Sequence, residues 1–185
     1  MKKLLTLILF SGIMVSAFAQ KETGTDNLKF KKFKTDVSFG YAKPLVTSSG
    51  GGVLFAIEPK YAIIDQVSIG LRIEAAVTAK IDKAGNNSSA KANASYLFTS
   101  DYYFNNHKFR PFGGAGLGIY TTASVDKNTI ITSSGTLPTA SKFGFMARVG
   151  FEYGHLRLGV ESNFLADKAG YLGFKLGVCI GGGHK

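Results

Sequence analysis

Apolar and polar positions alternate through most of this chain, and the pattern is clearest between residues 142 and 164. Phe143, Phe145, Ala147, Val149, Phe151 and Tyr153 occupy odd positions, with Gly144, Met146, Arg148, Gly150 and Glu152 between them. After Gly154-His155 the apolar set moves to even positions: Leu156, Leu158, Val160, Ser162 and Phe164, interleaved with Arg157, Gly159, Glu161 and Asn163. Period two places successive side chains on opposite faces of a β-strand. The passage therefore predicts a hairpin turning at Gly154-His155. One of its faces is bulky and apolar; the other carries glycines and charges of both signs. A small, charge-matched face suits the crowded interior of a narrow barrel whose outside touches lipid.

The same period predicts strands at 37–43, 53–63, 67–79, 92–103, 109–124 and 171–180, making eight with the hairpin. Their outward sets include Val37, Phe39 and Tyr41, then Phe55 and Ile57, then Leu71 and Ile73, then Leu176 and Val178. Their inward sets supply Glu58, Lys60, Arg72, Glu74, Asp101 and Lys175, alongside Arg148, Glu152, Arg157 and Glu161 of the hairpin. Pro59 lacks an N–H and is expected to mark a bulge. Gly114, Gly116 and Gly118 form a row where the wall bends or where large neighbours fill the lumen. Their stretch has no GxxxxGK[ST] match and no following helix, which excludes a nucleotide-cradling loop.

Short connections near residues 65–66, 105–108 and 154–155 alternate with longer ones at 44–52, 80–91, 126–141 and 166–170. Short turns at one end and long loops at the other describe a meander, so the expected fold is all-β: an eight-stranded antiparallel up-and-down transmembrane β-barrel. Three strands run down into the short turns, and each carries an outward tyrosine near its end: Tyr61, Tyr102 and Tyr153. Their rings fit an interfacial girdle, with the ring in lipid and the hydroxyl among headgroups.

Turn length fixes register. A two-residue turn at Gly154-His155 sets Glu152 opposite Arg157 and Arg148 opposite Glu161. A three-residue turn at 64–66 sets Glu58 opposite Arg72. Three cross-strand ion pairs are therefore expected in the lumen, where they would neutralise it, pin the register and block flow.

The N-terminus changes the picture by adding export. Lys2 and Lys3 precede an apolar run that ends in Ala17-Phe18-Ala19, the pattern of a signal peptide over 1–19. A polar, lysine-rich leader over 20–36 follows, either a flexible lead-in or a contact with a membrane surface. The barrel is expected over 37–181, with a tail over 182–185. Cleavage removes Lys2 and Lys3 and lowers the formal net charge from +10 to +8. For an exported chain this surplus points to lipid phosphates rather than nucleic acid. The single Cys179 cannot form an internal disulfide and falls on the small-residue face.

The signal, the alternating strands from Val37 to Ile180 and the run Arg110-Pro111-Phe112-Gly113-Gly114-Ala115-Gly116-Leu117-Gly118 together resemble the small eight-stranded outer-membrane barrels. The chain is similar to the OmpA-barrel, OmpX and OmpW group, and to the porin-family barrel domain. The resemblance implies a Gram-negative outer membrane, with lipid, lipopolysaccharide and the barrel-assembly machinery as partners, and a monomer. The sequence departs from such barrels in ending without the terminal aromatic residue that the machinery often reads. Recognition would then rest on Leu172, Phe174, Leu176, Val178 and Ile180.

Little in the sequence points to catalysis. His107, His155 and His184 have no second ligand at zinc-like spacing, and none lies in a longer loop. That argues against the lipid-modifying barrels, whose histidines work near the outer leaflet. Inward acids and bases match in number, so mutual neutralisation explains the carboxylates better than acid–base chemistry. No catalytic, metal or cofactor residues are assigned. The expected role is a non-enzymatic structural or interaction barrel displaying its loops. A porin-like conduit for small or hydrophobic solutes and a lipid-modifying enzyme are the alternatives.

Overall fold

The structure, a computed structural model, describes residues 29–45, 50–81, 88–126, 139–165 and 170–183. The expected signal peptide, most of the leader, the tips of the longer connections and the last two residues of the tail lie outside the described residues. The strands are β1 (Phe33–Pro44), β2 (Gly52–Ile64), β3 (Val67–Ile81), β4 (Ser88–Tyr103), β5 (Phe109–Asp126), β6 (Thr139–Tyr153), β7 (Leu156–Leu165) and β8 (Tyr171–Gly181). Each pairs antiparallel with the next, and β1 pairs with β8, which closes the sheet into an up-and-down barrel. Closure removes both open edges of the sheet.

Alternation sets the two faces. From Phe143 to Tyr153 the outward side of β6 carries no charge, and Val149 at its centre is 63% exposed. At about 3.3 Å per residue and a tilt of about 40°, ten residues give a belt about 25 Å tall. Leu71, Leu176 and Ile180 continue it around the wall. Tyr61, Tyr102 and Tyr153 are exposed on the outside, near the short-turn end.

Three expectations about the wall are corrected. Strand β1 begins at Phe33, not at 37, so Phe33–Asp36 belong to the wall and not to the leader. Period two runs on through these residues, and the lumen takes up the charges of Lys34 and Asp36. Pro59 stays in register with Thr35, and the irregularity falls between Ala62 and Ile64 instead. Ile64 therefore faces Val67 across a two-residue turn, while Ala62 and the residues above it keep the register expected from a three-residue turn. The third correction concerns height. Strands β3 to β6 extend further toward the longer connections than alternation indicates, reaching Ile81, Ser88, Asp126 and Thr139.

The Gly154-His155 turn is as expected. Gly154 has φ +61, a left-handed conformation that glycine adopts without a Cβ clash, and Tyr153 faces Leu156 across it.

Candidate functional site: the charged lumen

All ten charges assigned to the lumen project inward, and Lys34 and Asp36 join them. The set holds six cations and six anions: Lys34, Lys60, Arg72, Arg148, Arg157 and Lys175 against Asp36, Glu58, Glu74, Asp101, Glu152 and Glu161. They are stacked in tiers along the barrel axis.

Nearest the short turns, Glu152 is the common acceptor. Lys34 Nζ lies 2.5 Å from its Oε1, the Tyr103 hydroxyl donates to it at 2.7 Å, and Arg157 donates to the same oxygen. The Arg157 guanidinium also donates to Asp101 at 2.8 Å and lies over the ring of Phe112. In the middle tier Arg148 grips Glu58 with both terminal nitrogens at 2.7 Å, and its Nε donates to Asp101 at 2.7 Å. Lys60 Nζ sits 2.6 Å from Asp36 and 2.7 Å from Asp101. In the third tier Arg72 donates through two nitrogens to Glu161, at 2.7 and 2.5 Å, and also pairs with Glu74. Lys175 bridges the same two carboxylates, at 2.6 Å from Glu161 and 3.1 Å from Glu74.

The expected pairs are corrected in part. Register places Glu152 opposite Arg157 and Arg148 opposite Glu161, and the first two do bond. The other two pairs exchange partners: Arg148 takes Glu58 and Arg72 takes Glu161. The cause is the narrowness of the barrel. An eight-stranded lumen is only as wide as its side chains, so a long guanidinium reaches a carboxylate across the bore as readily as one on the next strand. Gly114 makes room for one such bridge. It lies between Asp101 and Arg148 on the flanking strands, and a Cβ there would come within 2.1 Å of the Asp101 carboxylate.

Above the charges, toward the longer connections, the lumen turns apolar. Ala42, Leu54, Ala76, Leu97, Met146 and Leu165 form a buried cluster with the rings of Tyr120 and Tyr171. The two tyrosines join it to the polar tier below. The Tyr171 hydroxyl bonds Glu74, and the Tyr120 hydroxyl donates to Asn163 at 2.7 Å. Sequence reasoning missed this cap. Its signal is Leu54, Leu97, Tyr120, Met146, Leu165 and Tyr171 on faces that otherwise read as polar or small.

The remaining candidates for chemistry are sparse. Asp36, Glu152 and Cys179 could bring ligand atoms within 4.8 Å of one another, but Lys34, Lys60 and Arg157 already take up the two carboxylates. His155 donates from Nδ1 to the Cys179 carbonyl oxygen at 2.8 Å. Both His155 and His107 lie at the short-turn end, and His184 is outside the described residues.

No protein-family model matches the sequence, and no curated protein matches it. Solved structures do. Neisserial surface protein A superposes with a TM-score of 0.62 at 14% identity, over 83% of this chain and 99% of that one. The N-terminal β-barrel domain of Pseudomonas aeruginosa OprF gives 0.52 at 12% identity, over 82% of this chain and all of that domain. At these identities the likeness concerns the fold, which is that of the small eight-stranded outer-membrane barrels.

Proposed function

We propose that the chain is an integral outer-membrane barrel acting as a sealed structural and interaction protein, which displays its longer connections outside the cell. The observation that carries this reading is the pairing of an uncharged apolar belt outside with a neutral, filled lumen inside. The belt has the height of a barrel's lipid-facing band, and a closed barrel leaves no open sheet edge there. In this reading the short turns face the periplasm, Tyr61, Tyr102 and Tyr153 lie at the headgroups, and the chain is exported by the segment 1–19. Insertion by the barrel-assembly machinery and contact with lipopolysaccharide belong to the same proposal.

A filled lumen favours this role over a conduit. Among Asp36, Glu58, Arg148, Arg157, Glu161 and Lys175 the free volume is about 20 Å³, room for about one water. A solute would have to part the bidentate Arg148–Glu58 and Arg72–Glu161 pairs and then the apolar cap. Breaking one buried pair costs about 3–5 kcal/mol. The placement of His107 and His155 at the short-turn end argues in the same direction against a lipid-modifying centre near the outer leaflet.

The test uses the full chain refolded in detergent. It should migrate as a compact, heat-modifiable band and then insert into planar bilayers without a unitary conductance. Stable single-channel steps would replace the sealed reading with the conduit. A chain that is soluble without detergent would remove the membrane.

A further inference from the structure

The lumen charges balance one another, and among the described residues the short-turn mouth beyond them carries more cations than acids. A cavity of about 130 Å³ opens there, close in size to the roughly 150 Å³ cavity that holds a benzene. Arg110 lines it and is buried, and Lys34, Lys60 and Glu152 of the lumen network line its deeper side. Its guanidinium is sandwiched between the rings of Phe30 and Tyr103, at 3.9 and 4.1 Å from their centroids. Nη2 donates to the Asp65 carbonyl oxygen at 2.7 Å, and the other polar contacts, with Asn105 and Asn106, are long at 3.5 Å.

Among the described residues no carboxylate pairs with Arg110. Glu152 lies opposite it on β6, but its carboxylate goes to Lys34, Tyr103 and Arg157 instead. A buried charge without a counter-charge is costly, unlike a surface lysine in water. The rim adds exposed Lys31, Lys32 and Lys108, with Asp65 the one acid on it outside the lumen network among the described residues. A planar donor fork in the wall of a basic, aromatic-lined cup is the chemistry that recognises a phosphate.

We propose that the short-turn mouth is a binding site for a phosphate group, with Arg110 as its anchor and Lys31, Lys32 and Lys108 as its rim. Two sources offer that chemistry. One is a small soluble phosphate entering along the barrel axis. The other is the headgroup of an anionic phospholipid folding over the rim, which the neighbouring girdle tyrosines would place at the right height.

Calorimetric titration of the full chain in micelles of an uncharged detergent separates these sources. One arm adds inorganic phosphate, and the other dopes the micelles with phosphatidylglycerol. Saturable binding of about one equivalent is expected in at least one arm. Phosphate alone assigns a soluble ligand, phosphatidylglycerol alone assigns the headgroup, and both together assign the shared group. Arg110→Gln should weaken binding about tenfold or more. Lys91→Gln, which removes the same charge at the far end of the barrel, should leave it unchanged. If Arg110→Gln does not regain heat-modifiable migration, the double variant Lys31→Gln/Lys108→Gln takes its place with the same expected direction. Absence of saturable binding in both arms overturns the proposal, as does equal weakening by the mouth and far-end variants.

Discussion

Toward the short turns the lumen is lined by Lys34, Asp36, Lys60, Asp101, Arg148 and Arg157, each held by two or more partners. Toward the longer connections it is lined by Leu54, Leu97, Met146 and Leu165, held by contact alone. Both halves fill the same bore with side chains. They differ in what each demands of its residues. A buried charge requires its partner at one distance and direction, so the lower half fixes which strand faces which. Apolar packing requires volume, and many arrangements of similar volume satisfy it. The difference implies that the charged half specifies the closed barrel and the apolar half only has to fill it.

The largest expected effect comes from breaking the charged half at its hub. Arg148→Met leaves Glu58 and Asp101 without the guanidinium they share and should cost about 3–5 kcal/mol, measured by urea unfolding in lipid vesicles. A loss under about 1 kcal/mol would mean that water screens the network and that the two halves do not differ as argued.

A smaller effect sharpens the comparison. Double-mutant cycles of Glu152→Gln with Arg157→Gln, and of Glu152→Gln with Lys34→Gln, should each give a coupling of about 0.5–3 kcal/mol. Register alone would have the reversed pair Glu152→Arg/Arg157→Glu recover the stability of the native pair. With Lys34 on the same carboxylate, the reversal sets a guanidinium against an ammonium and should not recover. Full recovery would show that the pair is isolated, with Lys34 outside it.

The smallest effect tests the apolar half. Met146→Leu keeps the volume nearly constant and should cost less than about 1.5 kcal/mol in the same assay. A loss as large as that of Arg148→Met would show that the cap is as strictly specified as the charges below it.

Much of the wall is legible in the sequence because a barrel strand has only two faces. Alternation separates Arg148 and Glu152 from Val149 and Phe151, and the two-residue turn at Gly154-His155 sets the pairing of β6 with β7. What sequence pattern cannot supply is who meets whom across the bore. Register relates Arg148 to its neighbours on β5 and β7, whereas Glu58 reaches it from β2 on another part of the wall. Lys34 and Asp36 are hard to read for a different reason. They stand in a lysine-rich stretch, where charge suggests solvent, and only the counter-charges of distant strands make the lumen a tolerable place for them. Leu54, Leu97 and Met146 are obscured by the rule itself, since apolar residues on a polar face read as interruptions until the sheet closes over them. Arg110 is legible as an inward residue, but that no carboxylate among the described residues pairs with it depends on where Glu152 points.

The pairing of β1 with β8 has a consequence for assembly. Seven of the eight ladders join strands adjacent in the chain and can form as local hairpins. The eighth joins the first strand to the last, with Val37 facing Val178. Loop-closure entropy grows with the logarithm of separation, so this seam carries the largest ordering cost of any ladder. Contacts that distant in sequence also form slowly. Until it forms, β1 and β8 present bare backbone edges that can template association with another chain. The twisted sheet is therefore expected to be vulnerable at its two ends until its last strand arrives, with the meeting of the first and last strands the closing step of assembly.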